Sequence, residues 1–460
     1  MKALAAVSRW LYPGLGVKRW LLLLGLGITF VGLGVAYLLV HLYRAGPFPE
    51  PIWYVTLQFF PRPLRGIVFM LIGFAVTGIS IYRLNRSILS ALIPKTNGDL
   101  WDALYKHSYL KSGPRIVAIG GGTGLSTLLR GLKEYTEHIT AIVTVADDGG
   151  SSGRLRRELG ILPPGDFRQC IVALADVEPL MTKLFQYRFG EGSGLEGHSF
   201  GNLFIAAMSA ITGNFESALQ ESSRVLAVRG QVLPSTLSNV TLCAEFDDQV
   251  VVSGEHLITE RRRPIRQVFL DPPNVPGYPE AARAIERADL IVIGPGSLYT
   301  SVIPNLLVKD IANAVRRSKA IKIYVCNVAA QAGETDGFSV GDHVRTLASV
   351  LGEDVFDYVL ANRNLRAVTA RGSKYRPVRL DRRVNPNQRH RVVLADLVDT
   401  NSGRLHDPVK LAQSIIRLCY ERHTPEAGRH GGENIIDQGR QLSDATYDTD
   451  DSLGSASDEH

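Results

Sequence analysis

The sequence predicts an α/β fold: a doubly wound, mostly parallel sheet with a β-rich insertion, preceded by a two-helix transmembrane hairpin. Three observations predict it. From Pro114 onward, short β-branched runs alternate with stretches of helical period, the signature of successive βαβ units in a Rossmann-like sheet. Between Val225 and Leu270 that period gives way to short β-rich stretches with turn residues, so an insertion of strands is expected there. Ahead of both, two long uncharged runs occupy the front of the chain, near the length a bilayer demands.

At 460 residues the chain exceeds what one hydrophobic core usually covers, so division is expected. The reading gives three parts: an anchor over 1–95, a ligand-binding domain over 113–423, and a disordered polar tail over 424–460. The tail is rich in Gly, Ser, Asp and Glu and lacks the apolar residues needed to fold alone. The formal charge of +6 comes with no Lys/Arg run longer than Arg261-Arg262-Arg263, which points away from nucleic acid as a partner. Cys170, Cys243, Cys326 and Cys419 are scattered without metal-ligand spacing and read as reduced, buried thiols.

Trp20 to Tyr43 carries no formal charge and is long enough for a spanning helix. Gly66 to Tyr82, bracketed by Arg65 and Arg83, is a shorter second candidate at about 17 residues. Lys2, Arg9, Lys18 and Arg19 precede the first run, and Arg83, Arg86 and Lys95 follow the second. This bias predicts both ends on the cytoplasmic side of a membrane.

In the main domain, Ile116 to Ile119 reads as the first strand, and Leu125, Leu128, Leu129 and Leu132 recur on one helix face. Ile139 to Val145 is the expected second strand. Leu290 to Ile293, Ile321 to Val325, Tyr358 to Ala361 and Val392 to Leu394 continue the series, with Ala281 to Ala288 and Val344 to Leu351 as intervening helices. Asp407-Pro408 has the form of a helix start, Asp at the cap and Pro in the first turn.

The chemistry-bearing residues fall at strand ends. Gly120-Gly121-Gly122-Thr123-Gly124 joins the first strand to the first helix, where absent side chains let backbone N–H groups meet a phosphate. It is neither a Walker loop nor a regular dinucleotide fingerprint. The second strand leads into Asp147-Asp148-Gly149-Gly150-Ser151-Ser152-Gly153-Arg154. Its acids could accept from sugar hydroxyls or hold Mg²⁺, while Ser151, Ser152 and Arg154 suit phosphate or sugar oxygens; a local turn satisfied by the carboxylates is the plainer reading. Asp166 with Gln169 has capping-box spacing. His198 and Asn202, in Gly197-His198-Ser199-Phe200-Gly201-Asn202, open an apolar helix and either face ligand or cap it. Gly294-Pro295-Gly296-Ser297 forms a second close-approach loop, and Asn327, Glu334 and Thr335 follow a later strand. The glycine loops, the Asp147 loop and the Asn327 segment follow strands, and the polar motifs are expected to converge on one rim, where such sheets hold ligands.

Taken in order, Gly120 to Leu125, Asp147 to Arg154, Pro163 to Asp166, Gly197 to Asn202, Gly294 to Ser301 and Gly333 to Thr335 resemble the bacterial gluconeogenesis factor family, itself similar to the 2-phospho-L-lactate transferases (CofD-like). The resemblance implies a CofD-like domain that binds a UDP-sugar, notably UDP-N-acetylglucosamine, and acts in cell shape and cell-wall and carbon-metabolism homeostasis. The implied ligand residues are Gly121, Gly122, Thr123, Gly124, Asp147, Asp148, Ser151, Ser152, Arg154, Asp166, His198, Asn202, Gly294, Gly296, Ser297, Asn327, Glu334 and Thr335, with no catalytic residue assigned. With the hairpin, it implies a multi-pass protein of a bacterial plasma membrane with its main domain in the cytoplasm, expected to be a homo-oligomer. A nucleotide-dependent transferase is the alternative, with Asp147 and Asp148 on Mg²⁺. Gln169 stands where the family commonly has Asn, and Val328 to Ala332 depart from its pattern.

Overall fold

The computed structural model describes residues 59–92 and 110–423, with breaks at 177–178, 191, 193, 370–374 and 382–390, and isolated positions from 25 to 57. Two compact units divide the chain, Met1–Leu100 and Trp101–His460.

In the first unit, helix α1 (Arg62–Leu92) begins at Pro61-Arg62-Pro63, where prolines suit a first turn. The expected first span lies outside the described residues apart from isolated helical positions such as Gly25, Ile28 and Val40. Among the described residues no helix is long and apolar enough to cross a membrane. The uncharged stretch of α1 is held between Arg65 and Arg83 and diluted by Gly66, Gly73, Thr77, Gly78 and Ser80, short of the roughly 20 apolar residues a spanning helix needs. This corrects the expected transmembrane hairpin, and the plasma-membrane placement and membrane partnership that rested on it.

The second unit opens with β1 (Ile116–Gly120), α2 (Gly122–Leu132) and β2 (Ile139–Val143). Leu125, Leu128, Leu129 and Leu132 are fully buried, so the apolar face read from their spacing covers the sheet. Five helices follow: α3 (Gly150–Leu159), α4 (Gly165–Leu174), α5 (Pro179–Gln186), α6 (Phe200–Thr212) and α7 (Phe215–Val225). Next come β3 (Gln231–Pro234), β4 (Thr241–Phe246), β5 (Val251–Ser253), α8 (Glu255–Arg261) and β6 (Ile265–Asp271).

The chain then forms α9 (Pro279–Arg287), β7 (Leu290–Ile293), one π-helical turn at Leu298–Val302, α10 (Ile303–Leu307), α11 (Lys309–Arg317) and β8 (Ile321–Val325). It closes with α12 (Val340–Leu351), β9 (Tyr358–Asn362), α13 (Leu365–Val368), β10 (Arg391–Ala395) and α14 (Pro408–His423). Asp407 caps α14 as expected, its Oδ1 accepting from Val409 N–H at 2.9 Å and Lys410 N–H at 3.0 Å. Gly131 lets α14 close on α2, because any Cβ there would collide with the Pro408 carbonyl.

Among the described residues the main sheet runs β10-β9-β8-β7-β1-β2-β3, and every pair is parallel. Every residue of β1, β2, β7 and β8 is buried, as a sheet covered on both faces requires. A smaller antiparallel sheet, β5-β4-β6, forms the insertion. Two boundaries differ from the sequence reading. Val225 ends a helix, and Gln231–Pro234 joins the main sheet beside β2, because four residues are too few to show a period. The insertion is therefore narrower, and it contains a helix as well as strands.

Chain order fixes where a ligand fits. The path runs outward from β1 through β2 to β3, then returns to place β7 on the other side of β1 and proceeds through β8 and β9 to β10. Strand order reverses between β1 and β7, and the region beyond their carboxyl ends is where open α/β sheets hold ligands.

Candidate functional site

The two glycine loops meet at this reversal. The first places Gly121 in extended backbone ahead of α2 and Gly122 at φ +61°, a left-handed conformation that glycine adopts without penalty. The second passes so near that a Cβ on Gly124 would lie 2.6 Å from the Pro295 carbonyl oxygen. Gly294 also has positive φ, +76°, and a Cβ there would come 2.9 Å from the Val325 carbonyl oxygen.

Side chains from three directions hold the loops. Asn327 binds Gly296 twice, its Oδ1 accepting from Gly296 N–H at 3.2 Å and its Nδ2 donating to Gly296 O at 2.7 Å. Asn305, fully buried, donates from Nδ2 to Gly120 O and to Ser301 O, both at 2.9 Å. Glu334 accepts from Tyr299 N–H at 3.3 Å, Thr300 Oγ1 at 3.0 Å and Gln331 Nε2 at 2.7 Å. Thr335 Oγ1 accepts from Gln331 N–H at 2.9 Å. Glu334 and Thr335 therefore face inward as anchors of the loops. Ser297 is half-buried, and its carbonyl accepts from the N–H groups of Ser301 and Val302.

Asp166 departs from the capping-box reading. It lies in the first turn of α4, whose cap residue is Pro164 with no side-chain cap bond. Its carboxylate instead turns to the other helix, accepting from Gly122 N–H at the start of α2. Burial, with the Asp147 charge second, pushes its pKa up to about 7. Asp147 accepts from Gly149 N–H at 3.0 Å, the local turn that was its plainer reading. Its carboxyl is also raised by burial, against hydrogen bonds from Gly149 and Ser152.

A second polar chain runs behind the acids. Arg168 Nε donates to Asn202 Oδ1 at 2.9 Å, Asn202 Nδ2 donates to Ser151 Oγ at 3.1 Å, and Ser151 Oγ meets His198 Nδ1 at 2.9 Å. All four residues are buried. Burial, then the Arg154 charge, lowers the His198 pKa, which favours the neutral imidazole in its hydrogen bond with Ser151. Ser199, not Asn202, caps α6. Arg154 donates to the Glu196 carbonyl at 2.5 Å, and Thr123 Oγ1 approaches Gln169 Oε1 at 3.5 Å.

Sequence reasoning missed part of the site. Glu255, at the start of α8 in the insertion, rises to about 8, through burial first and then through Asp147, Asp166, Asp148 and Glu334. His256 N–H donates to Asp148 Oδ1 at 3.0 Å, so the insertion docks on the acidic loop. An acid in the first turn of an exposed-looking helix gave no signal of this. Asn305 did give one, being the only polar side chain in the apolar stretch Val302 to Leu307. Arg156 was missed as well: it donates to Asn239 Oδ1 at 2.8 Å and Val240 O at 2.5 Å, while its other guanidinium nitrogen is buried without a partner.

Asp147, Asp148, Asp166 and Glu255 thus stand together beside two loops of backbone donors. Among the described residues no three His, Cys, Asp or Glu are arranged to hold a metal ion. A cleft of about 460 Å³ lined by Arg115, His138, Gln231 and Arg283 lies at the opposite, amino-terminal ends of the strands and shares no residue with this site.

Over residues 116–398 the chain matches the family described as 2-phospho-L-lactate transferase CofD, a span that includes all the site residues above. It is 47% identical to a putative gluconeogenesis factor of Nostoc over 418 residues, 89% of this chain and 92% of that one. To the gluconeogenesis factor of Bacillus subtilis it is 55% identical over 249 residues, 54% of this chain and 78% of that one. A crystal structure of a Bacillus halodurans protein superposes with a TM-score of 0.63 at 45% identity, covering 66% of this chain and 99% of that one. The chain belongs to the gluconeogenesis factor family and carries a CofD domain.

Proposed function

We propose that this protein binds a UDP-sugar, UDP-N-acetylglucosamine, in the crevice between β1 and β7, and that it acts as a ligand-binding regulator of cell-wall and carbon metabolism. The observation that carries the reading is the pair of glycine loops at the reversal of strand order, one of them opening α2. Backbone N–H groups at a helix start favour phosphate oxygens, and the close passage of Gly124 by Pro295 supports a reading in which both loops serve one diphosphate. Asp147 and Asp148 stand at the next strand end, where carboxylates accept from sugar or ribose hydroxyls. Ser152 and Arg154 supply further donors.

A second reading, nucleotide-dependent transfer, is favoured by one observation. Asp166 and Glu255, raised to about 7 and about 8, lie in the range suited to general acid–base work. Calorimetry on the full chain separates the two. Regulation predicts a one-site isotherm with UDP-N-acetylglucosamine and intact ligand after prolonged incubation and chromatography. UDP released in proportion to protein, and abolished by Asp147→Asn, would establish the transferase instead. No isotherm with any UDP-sugar would remove both.

A further inference from the structure

Helix α8 of the insertion touches two separated loops of the main domain. At its cap, Gly254 packs so closely on Asp148 that any Cβ would collide with Oδ2, and the next turn binds the same carboxylate through His256 N–H. At its other end, a Cβ on Gly333 would stand 2.9 Å from Thr259 O and 3.2 Å from Arg262 Cα. Glu334, beside Gly333, is in turn bonded to Tyr299 N–H and Thr300 Oγ1 of the loop after β7.

These anchors straddle the reversal of strand order. Asp148 follows β2 and Gly333 follows β8, and β1 and β7 lie between those two strands in the sheet. Three strand spacings amount to about 14 Å, and a helix running from the cap Gly254 to the cap Arg262 rises about 12 Å. The lengths agree, so α8 bridges the carboxyl ends of β1 and β7.

Glu255, the first residue of α8, is partly buried under this bridge. The charges of Asp147, Asp166, Asp148 and Glu334 all act on its carboxyl, and its Oε2 is 3.9 Å from where a Cβ on Gly149 would stand. Asp148 and Glu334 accept hydrogen bonds from the protein. The Glu255 carboxyl has no hydrogen-bond partner among the described residues, so its capacity to bond is unused by the fold.

Building on the UDP-sugar reading, on which this rests, we infer that α8 roofs the ligand site and that Glu255 is a specificity-determining residue, hydrogen-bonding a ring hydroxyl of the ligand while the glycine loops hold its diphosphate. Charge sets that orientation. Carboxylates crowded beneath the roof repel phosphate and accept from hydroxyl groups, whereas the loops offer backbone donors to phosphate oxygens. The sugar and the ribose both carry such hydroxyls, and the ligands of the test separate them.

Calorimetry on the full chain would measure UDP-N-acetylglucosamine, UDP and 2′-deoxy-UDP against the parent, Glu255→Ala and Glu255→Gln, with thermal melts to establish folding. The affinity ratio of UDP-N-acetylglucosamine to UDP should fall about tenfold in Glu255→Ala, the size of one lost hydrogen bond. It should recover in large part in Glu255→Gln, whose amide oxygen still accepts. Taking a ratio cancels any gain in phosphate affinity from removing a negative charge. A fall in the ratio of UDP to 2′-deoxy-UDP instead assigns the contact to the ribose. If Glu255→Ala does not melt cooperatively, Glu255→Leu gives the same comparison. Both ratios unchanged, or an equal fall in the alanine and glutamine variants, overturns the inference and leaves the UDP-sugar reading standing. A parent chain that binds none of the three ligands overturns both.

Discussion

The Asp166 carboxylate lies directly against Gly121: a Cβ built on that glycine would sit 2.5 Å from Asp166 Oδ2. One side chain from α4 thus occupies the start of α2, the place where an anion is best stabilised by free backbone donors. It reaches that place buried and with a raised pKa, so proton uptake and fold stability are coupled there.

Stability without ligand should therefore fall as pH rises. Asp166, Glu255 and Glu334 have folded-state pKa values raised to about 7, 8 and 7, above their unfolded values, so the folded state binds more protons between those limits. Their contribution is fully present below about pH 4 and is lost as pH passes through 7 to 8. Each tenfold displacement of such an equilibrium is worth about 1.4 kcal/mol. Thermal melts from pH 5 to 8.5 should show the decline, and Asp166→Asn should flatten it. A melting temperature that climbs over this range would contradict the assignment.

Glu255→Gln should relieve its neighbours. Removing that ionisable group lowers the charge density felt by Asp147 and Asp166, so the remaining decline should be shallower and centred at lower pH. Combining it with Asp166→Asn should give less than the sum of the two effects, since coupled carboxyls titrate as a unit.

Gly124→Ala should separate the loops. The new methyl would press on the Pro295 backbone, which no side-chain rotation can relieve, at a cost of about 1–3 kcal/mol. UDP-N-acetylglucosamine affinity should drop at least tenfold while the melt stays cooperative. Full affinity in a folded variant would sever the link between loop spacing and binding.

Asn202→Ala should act through the fold. It strips Arg168 Nε and Ser151 Oγ of their shared partner, and a buried unsatisfied polar group costs about 1–3 kcal/mol. The denaturation midpoint should shift with an unchanged slope. A midpoint within experimental error of the parent chain would mean that the buried network contributes little.

The strands that define the site could be read from the sequence because they are short, apolar and rich in β-branched residues. Leu290–Ile293 and Ile321–Val325 fall where their β-branched runs place them, and Leu125 to Leu132 cover the sheet as their spacing requires. The contacts of Asp166 were hidden, since Asp followed three residues later by Gln has the form of a local cap, and only tertiary structure reveals that its partner is Gly122, 44 positions earlier. Glu255 was hidden for a related reason: its neighbours in the cluster come from the loop after β2 and from α4, not from its own helix. The expected membrane hairpin is not found among the described residues, because glycines, serine and threonine interrupt the uncharged stretch of α1.

The insertion is a single segment with a sheet of its own, so its residues can change without altering the strand order of the main sheet. Thr241–Asp271 is one uninterrupted stretch, interposed where the chain travels from the outer strand β3 back to β7, and it brings Glu255 and the His256 backbone onto the Asp148 loop. Both glycine loops lie outside it. Exchanging that stretch between relatives would replace Glu255 and the His256 backbone contact as one cassette, altering the acidic cluster while both glycine loops stay as they are.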